Sequence, residues 1–243
     1  MTAPERVISE TSLPSGTTLT IEKPKLTLDF TASHTVYKNA MNHRVPGVTT
    51  VLGILNKPAL LKWAWQCGKD GLELERTRQV AADVGTVAHA LCEAHLRGME
   101  LERGNIAPSV LVKAETSFLR FLDWWDKERL TVLHSELQMV SERWQCGGTL
   151  DVLAQREDGR RVLVDLKTSK GIYDEMLIQV ATYAAMYEET TGTKVARVCI
   201  HRVGKTAGDA GQFYTVPWRQ RNAGVQLFEA ALAAYRARAL MEG

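Results

Sequence analysis

Cysteine is sparse in this chain, and the few cysteines are scattered. Cys67, Cys92, Cys146 and Cys199 are the only four in 243 residues, and none forms a CxxC pair. That spacing excludes a disulfide framework and a zinc ribbon, and it predicts reduced thiols in a cytosolic protein. No apolar run approaches the length that spans a bilayer, and the first residues, MTAPERVISE, carry no apolar leader core. The expectation is a soluble protein of a bacterial or phage-infected cytoplasm, with no membrane partner. Charge of one sign is also lacking: the formal net charge is only +2. A bulk polyanion binder is therefore not indicated, although a local positive field remains compatible with an acidic site elsewhere on the surface. No internal repeat and no low-complexity tract is present.

What remains is an ordinary globular composition, 45% hydrophobic and 24% charged, long enough to bury a sizeable core without staples. Residues 1–46 are rich in Thr, Ser, Pro and Lys. They read as an arm with one or two edge strands, at Thr18–Ile21 and Leu26–Phe30. Residues 47–243 read as one domain in three parts. The first, 47–130, is helical: Val48–Leu55 opens it, Pro58 suits the start of a new helix, and longer helices follow at Leu72–Leu96, stopped by Gly98, and Pro108–Leu130. Its aromatics at helical spacing, Phe118, Phe121 and Trp125, read as core. The second part, 131–216, turns to strands at Thr131–Arg143, Gly148–Gln155 and Arg161–Thr168. A helix at Asp174–Thr190 and strands at Val195–Val203 and Gln212–Val216 complete it. The third part, 217–243, is a helix from Trp218 to Met241. This order predicts an α/β (α+β) fold, a central mixed sheet flanked by helices with an N-terminal helical elaboration.

One hairpin carries the chemistry. Glu157-Asp158-Gly159 reads as a three-residue loop with glycine in the left-handed position. Arg156 then pairs with Arg160, and counting inward sets Asp151 opposite Asp165. Lys167 lies two residues on, on the face of Asp165. The strand around Asp165 is otherwise apolar, and a buried carboxylate is costly unless it is paired or bound to metal. Two carboxylates this close repel unless a cation lies between them, and a hard divalent ion suits oxygen ligands. The residues alone also allow a plain Asp165–Lys167 ion pair with an unrelated Asp151. A one-residue slip in the turn would send Asp151 to the other face.

Gly148-Thr-Leu-Asp151 followed by Asp165-Leu166-Lys167 resembles the PD-(D/E)XK nuclease superfamily, with Leu150 where proline is common. Gly85-Thr-Val-Ala-His89 and Gln179-Val-Ala-Thr-Tyr183 are similar to the helical motifs of its RecB-like exonuclease branch, the phage and mitochondrial exonuclease type. Glu136 matches an acidic position of that branch, and Val48–Leu52 with Leu61–Ala64 resembles its N-terminal region. The likeness covers about Gly47 to Tyr187. It implies a restriction-endonuclease-like core and catalytic residues Asp151, Asp165, Lys167, Gln179 and Tyr183. It also implies one or two Mg²⁺ or Mn²⁺ ions on His89, Asp151, Asp165 and the Leu166 carbonyl. Glu136, Glu93 and Thr168 would support these ligands, and His95, His134 and His201 are not expected among them. Lys170 and Arg143, with Lys205, Arg219 and Arg221, are candidates for contacts to a phosphate backbone. Some relatives hold an iron–sulfur cluster on four cysteines, but only Cys199 follows Tyr183 here, so no cluster is expected. The implied substrate is DNA, single-stranded or as double-stranded ends. The implied activity is an exonuclease in recombination, repair or phage DNA processing, with a recombination or single-strand-binding protein as a partner. A structure-specific or restriction-like endonuclease and a non-catalytic DNA-binding module are the alternatives.

Overall fold

The structure is a computed structural model describing residues 23–30, 35–104 and 106–242; the strand expected at Thr18–Ile21 lies outside them. Short strands β1 (Lys25–Leu26), β2 (Tyr37–Lys38) and β3 (Arg44–Val45) precede helices α1 (Val48–Leu52), α2 (Pro58–Lys69) and α3 (Leu74–Leu96). Then come β4 (Glu100–Leu101), α4 (Pro108–Glu128), β5 (Thr131–Ser141), β6 (Cys146–Gln155) and β7 (Arg161–Lys167). The chain ends with α5 (Asp174–Thr191), β8 (Val195–Arg202), β9 (Gln212–Thr215) and α6 (Trp218–Glu242). The sheet has five strands in the order β5-β6-β7-β8-β9, antiparallel except for the parallel β7–β8 pair. The fold is thus a mixed sheet flanked by helices, as in restriction-endonuclease-like proteins.

β7 sits at the centre of that order, and its burial explains its composition. It is covered on both faces, so the apolar run around Asp165 replaces the alternation of a half-exposed strand. A parallel neighbour requires a crossover, and α5 supplies it. Leu150, Leu153 and Leu163 pack with Ile178, Tyr183 and Phe228 on the side of α5 and α6. Val152, Val162 and Val164 pack with Cys92 and Phe121, from α3 and α4, on the other. Each such aliphatic side chain withdrawn from water contributes about 1.5–3 kcal/mol.

Local signals set the boundaries of the site-bearing elements. α3 buries Val84, Val87, Ala88, Leu91 and Ala94, a stripe at helical spacing. It ends before Gly98, whose φ of +66° suits the left-handed turn there. In the β6–β7 hairpin the Gly159 amide donates to the Arg156 carbonyl, and Arg156 pairs with Arg160 through its own amide. Gly159 has φ +81°, the conformation expected of it.

The N-terminal strands do not extend the central sheet. β1 pairs in parallel with β4, and β2 pairs with β3. The segment around β2 is nevertheless tied to β6. The Asn39 amide side chain donates to Gln145 at 2.6 Å, and the Gly147 amide donates to the Pro46 carbonyl.

Candidate active site

Three strands bring three carboxylates level with one another. The β6–β7 register runs from Gln155↔Arg161 to Val152↔Val164, and Asp151 and Asp165 lie one step beyond. On the other side of β6, Ser135 pairs with Val152 and Leu137 with Leu150, which sets Glu136 across from Asp151. Neither step carries a regular ladder pair. The Leu166 amide donates instead to Asp151 Oδ2 at 2.6 Å, so a side chain replaces the backbone acceptor. Glu136 has φ +53° in mid-strand, a conformation that costs a non-glycine residue free energy and clusters at functional sites. Alternation also slips at Asp151: Leu150 and Leu153 share the α5 side, while Val152 faces the other.

Asp165 is 1% exposed, and its Oδ1 has no hydrogen-bond donor. Its Oδ2 lies 2.5 Å from Lys167 Nζ. Burial pushes the Asp165 carboxyl up to about 6, with Lys167 opposing and Asp151 reinforcing the rise. Burial, Asp151, Glu93 and Asp165 together push Glu136 up to about 8 against the pull of Lys167. Burial disfavours the Lys167 ammonium, yet Asp165 and Asp151 outweigh it and hold its pKa above the ordinary lysine value. All three shifts favour an extra proton, so the site is short of positive charge.

A divalent cation answers that demand. Ligand atoms of His89, Glu136 and Asp151 all lie within 4.8 Å of one another, and His89 Nδ1 is 3.7 Å from Asp151 Oδ2. Hard oxygens with one imidazole suit Mg²⁺ or Mn²⁺. Asp165 Oδ1, buried and with no donor while Oδ2 faces Lys167, supplies a second reason for the fit, since a buried carboxylate oxygen left unpaired is costly. The amide and carbonyl of one strand residue point to the same edge. The Lys167 carbonyl accepts from Val203 on the β8 side, so the Leu166 carbonyl faces β6, beside Asp151.

α5 braces the other side. Gln179 Nε2 donates to Tyr183 Oη at 3.0 Å. Tyr183 is buried, and burial raises its phenol well above its usual value. A Cβ at Gly148 would lie 2.4 Å from the Tyr183 ring, and one at Gly147 would lie 2.1 Å from Tyr37. The two glycines thus let two tyrosines approach β6. Tyr37 also hydrogen-bonds Thr149 through its hydroxyl at 2.8 Å. Tyr37 and Thr149 were not among the residues singled out from the sequence; paired glycines inside a strand are the signal that marks such a close approach.

The remaining expected residues divide. Glu93 is ion-paired with Arg97 and still feels Glu136, and Thr168 packs against Gly85 of α3. His95 rests edge-on against Phe118, and His201 is buried among Trp124, Phe121 and Phe213. Lys170 is exposed, and it lines a cleft with Lys205 beyond the end of β7. Arg143 is not brought to the cluster: it pairs with Glu229 at 2.6 Å, next to the β5–β6 turn. Arg221 is buried against Glu188 and the Val195 carbonyl, while Arg219 is exposed near the start of α6.

A carboxylate–lysine centre at a hairpin inside a mixed sheet defines a class of metal-dependent phosphodiester hydrolases. Residues 60–240 match the family model of the PD-(D/E)XK nuclease superfamily, and the chain belongs to that superfamily. No curated protein matches it. Among solved structures it is similar to a candidate exonuclease from Eubacterium rectale, at 12% identity and a TM-score of 0.45, over 63% of this chain and 66% of that one. It is also similar to a protein named SSO0001, at 14% identity and a TM-score of 0.33, over 64% of this chain and 74% of that one. The chain thus spans just under two thirds of the first structure. Among the described residues no helix is long and apolar enough to cross a membrane.

Proposed function

We propose that this protein hydrolyses DNA phosphodiester bonds at the cluster of Asp151, Asp165 and Lys167. The observation that carries the proposal is Asp165, a buried carboxylate set between Asp151 and the Lys167 ammonium, with Oδ2 on Lys167 and Oδ1 left without a donor. His89, Glu136, Asp151, Asp165 and the Leu166 carbonyl would hold one or two Mg²⁺ or Mn²⁺ ions. A bound ion there supplies an acidified water and neutralises charge on the phosphate. Lys167 keeps its proton beside this centre and stabilises negative charge as it develops on the phosphate. Asp151 fixes the register of β7 by holding the Leu166 amide. Tyr183 braces β6 from α5, and Gln179, half-buried beside its hydroxyl, is the one of the two placed to meet the DNA backbone. Relative to the expectation from sequence, Glu136 moves from a supporting position to a candidate ligand.

The His89 and Gln179–Tyr183 motifs support an exonuclease of the RecB-like type, serving recombination, repair or phage DNA processing. The test is incubation with linear and covalently closed circular DNA, single- and double-stranded, in Mg²⁺, Mn²⁺ or EDTA. We expect metal-dependent loss of linear DNA with closed circles intact. Cleavage of closed circles would make the protein an endonuclease. Inertness towards every substrate would refute hydrolysis.

A further inference from the structure

A recess opens beside the catalytic strand. Its walls are α2, the first turns of α3, the start of α4, the loop after β7 with the start of α5, and the loop after β8. It consists of two cavities of about 600 Å³ each, which share Trp63, Ala81, Lys170 and Lys205 and so form one cleft. Thr168 and Ser169 line it, placing its inner end next to Lys167.

The lining is of two kinds. Trp63, half-buried, and Leu60 give it an apolar wall. Lys113, Lys170 and Lys205 come from three different elements, and no ion pair with an acid is formed by any of them among the described residues. All three line one of the two cavities, Lys205 half-buried, so three ammonium groups converge; burial and the other two lysines push the Lys205 pKa down. Of the acids along the cleft, Asp209 is held by Arg202 at 2.8 Å through both oxygens, and Asp70 accepts from Gln66. Glu73 and Glu175 are the others. The lysine loop is also fixed in place. Ser117 donates to the Gly204 carbonyl, Arg120 to the Ala207 carbonyl, and Arg202 to the Ser169 carbonyl.

Converging cations without acidic partners call for phosphates, and an aromatic wall calls for a flat, apolar partner. A duplex offers phosphates on its outside but keeps its base faces stacked inside. A single strand offers both within one nucleotide. We infer that this cleft is a track for single-stranded DNA, with phosphates on Lys113, Lys170 and Lys205 and a base stacked on Trp63, feeding the strand towards Lys167. The inference rests on the nuclease reading for its direction of travel, but not for the binding itself.

The test is fluorescence anisotropy with labelled oligo-dT of about 15 nucleotides, and a duplex of equal length, in EDTA across a salt series. Wild type should bind the single strand at least about fivefold more tightly than the duplex, since stacking is worth ~1–3 kcal/mol per base. Lys170→Ala with Lys205→Ala should lower the salt slope by about 1.4, from ~0.7 per phosphate contact. Trp63→Ala should weaken binding about fivefold or more, and Trp63→Phe should restore most of it. Lys127→Ala, on an exposed face of α4, should change neither. Equal affinity for duplex, or an unchanged slope in the double lysine variant, would overturn the track. A protein that cleaves DNA with unchanged slopes loses the track and keeps the nuclease reading. One that cleaves nothing but shows these slopes loses the nuclease reading and keeps the track.

Discussion

Asp165 concentrates the physics of this site in one side chain. It is ionisable, almost wholly withdrawn from water, and crowded by Asp151, while Lys167 supplies only one compensating charge. Occupation by a cation should therefore stabilise the fold as well as enable chemistry. A ligand at about a hundred times its dissociation constant adds about 2.7 kcal/mol, or about 5–10 °C in a chain of this size. Mn²⁺ is thus expected to raise the Tm of the EDTA-treated wild type by that amount, and to leave Asp151→Asn nearly unmoved. An equal rise in both, followed by differential scanning fluorimetry, would remove Asp151 from the ligand set. At the same scale, His201 is buried among rings with an unpartnered Nδ1, and burial lowers its pKa to about 4. Its folded form resists protonation, so its stabilising effect is whole above pH ~6.5 and is lost as the pH falls from there towards 4. The loss amounts to about 3 kcal/mol. In denaturant titrations at pH 7 and pH 4.5, His201→Phe should lose less stability than wild type; an identical loss would show that His201 is solvated.

At the scale of elements, β6 is the strand on which the rest converge. Its Gly147–Gly148 pair admits Tyr37 from one direction and Tyr183 from another. A methyl group at either position meets a ring, and overpacking of this kind costs about 1–3 kcal/mol. Gly148→Ala is expected to lower stability by that amount and also to cut DNA cleavage, because Tyr183 must shift. Gly147→Ala should lower stability with the smaller effect on cleavage. Urea titration alongside cleavage rates checks the pair, and two fully stable variants would contradict the packing described here. The hairpin itself was legible beforehand. Turn residues Glu157-Asp158-Gly159 gave the register, and the register set Asp151 beside Asp165. The distortion around them was not legible. A left-handed Glu136 and a slip in alternation at Asp151 go against the local preferences by which strands are read.

For the whole molecule, hydrophobic periodicity was enough to order the long elements. β7 through α6 begin at the residues where the sequence places them, because their apolar patterns are strong and their stops are glycine or turn residues. In the N-terminal region the strand expected at Leu26–Phe30 is confined to Lys25–Leu26, and β2, β3 and β4 were beyond that reach. They pair locally and across long sequence separations, as β1 does with β4, and so short a segment has no period to detect. Lys113, Trp63 and Lys205 met in one cleft for the same reason: the convergence of three remote segments is a property of the fold, not of any stretch of sequence. Lys170, Lys205, Arg143 and Arg221 were candidates for phosphate contacts; Arg143 pairs with Glu229 at the surface, and Arg221 is buried against Glu188.

Asp151, Asp165 and Lys167 are proposed to form one hydrolytic centre. Single-turnover cleavage of end-labelled linear DNA in Mg²⁺ tests it most directly, comparing wild type with Asp165→Ala, each confirmed folded by circular dichroism. Asp165→Ala is expected to cleave at least about 100-fold more slowly. Cleavage by Asp165→Ala at the wild-type rate would contradict it.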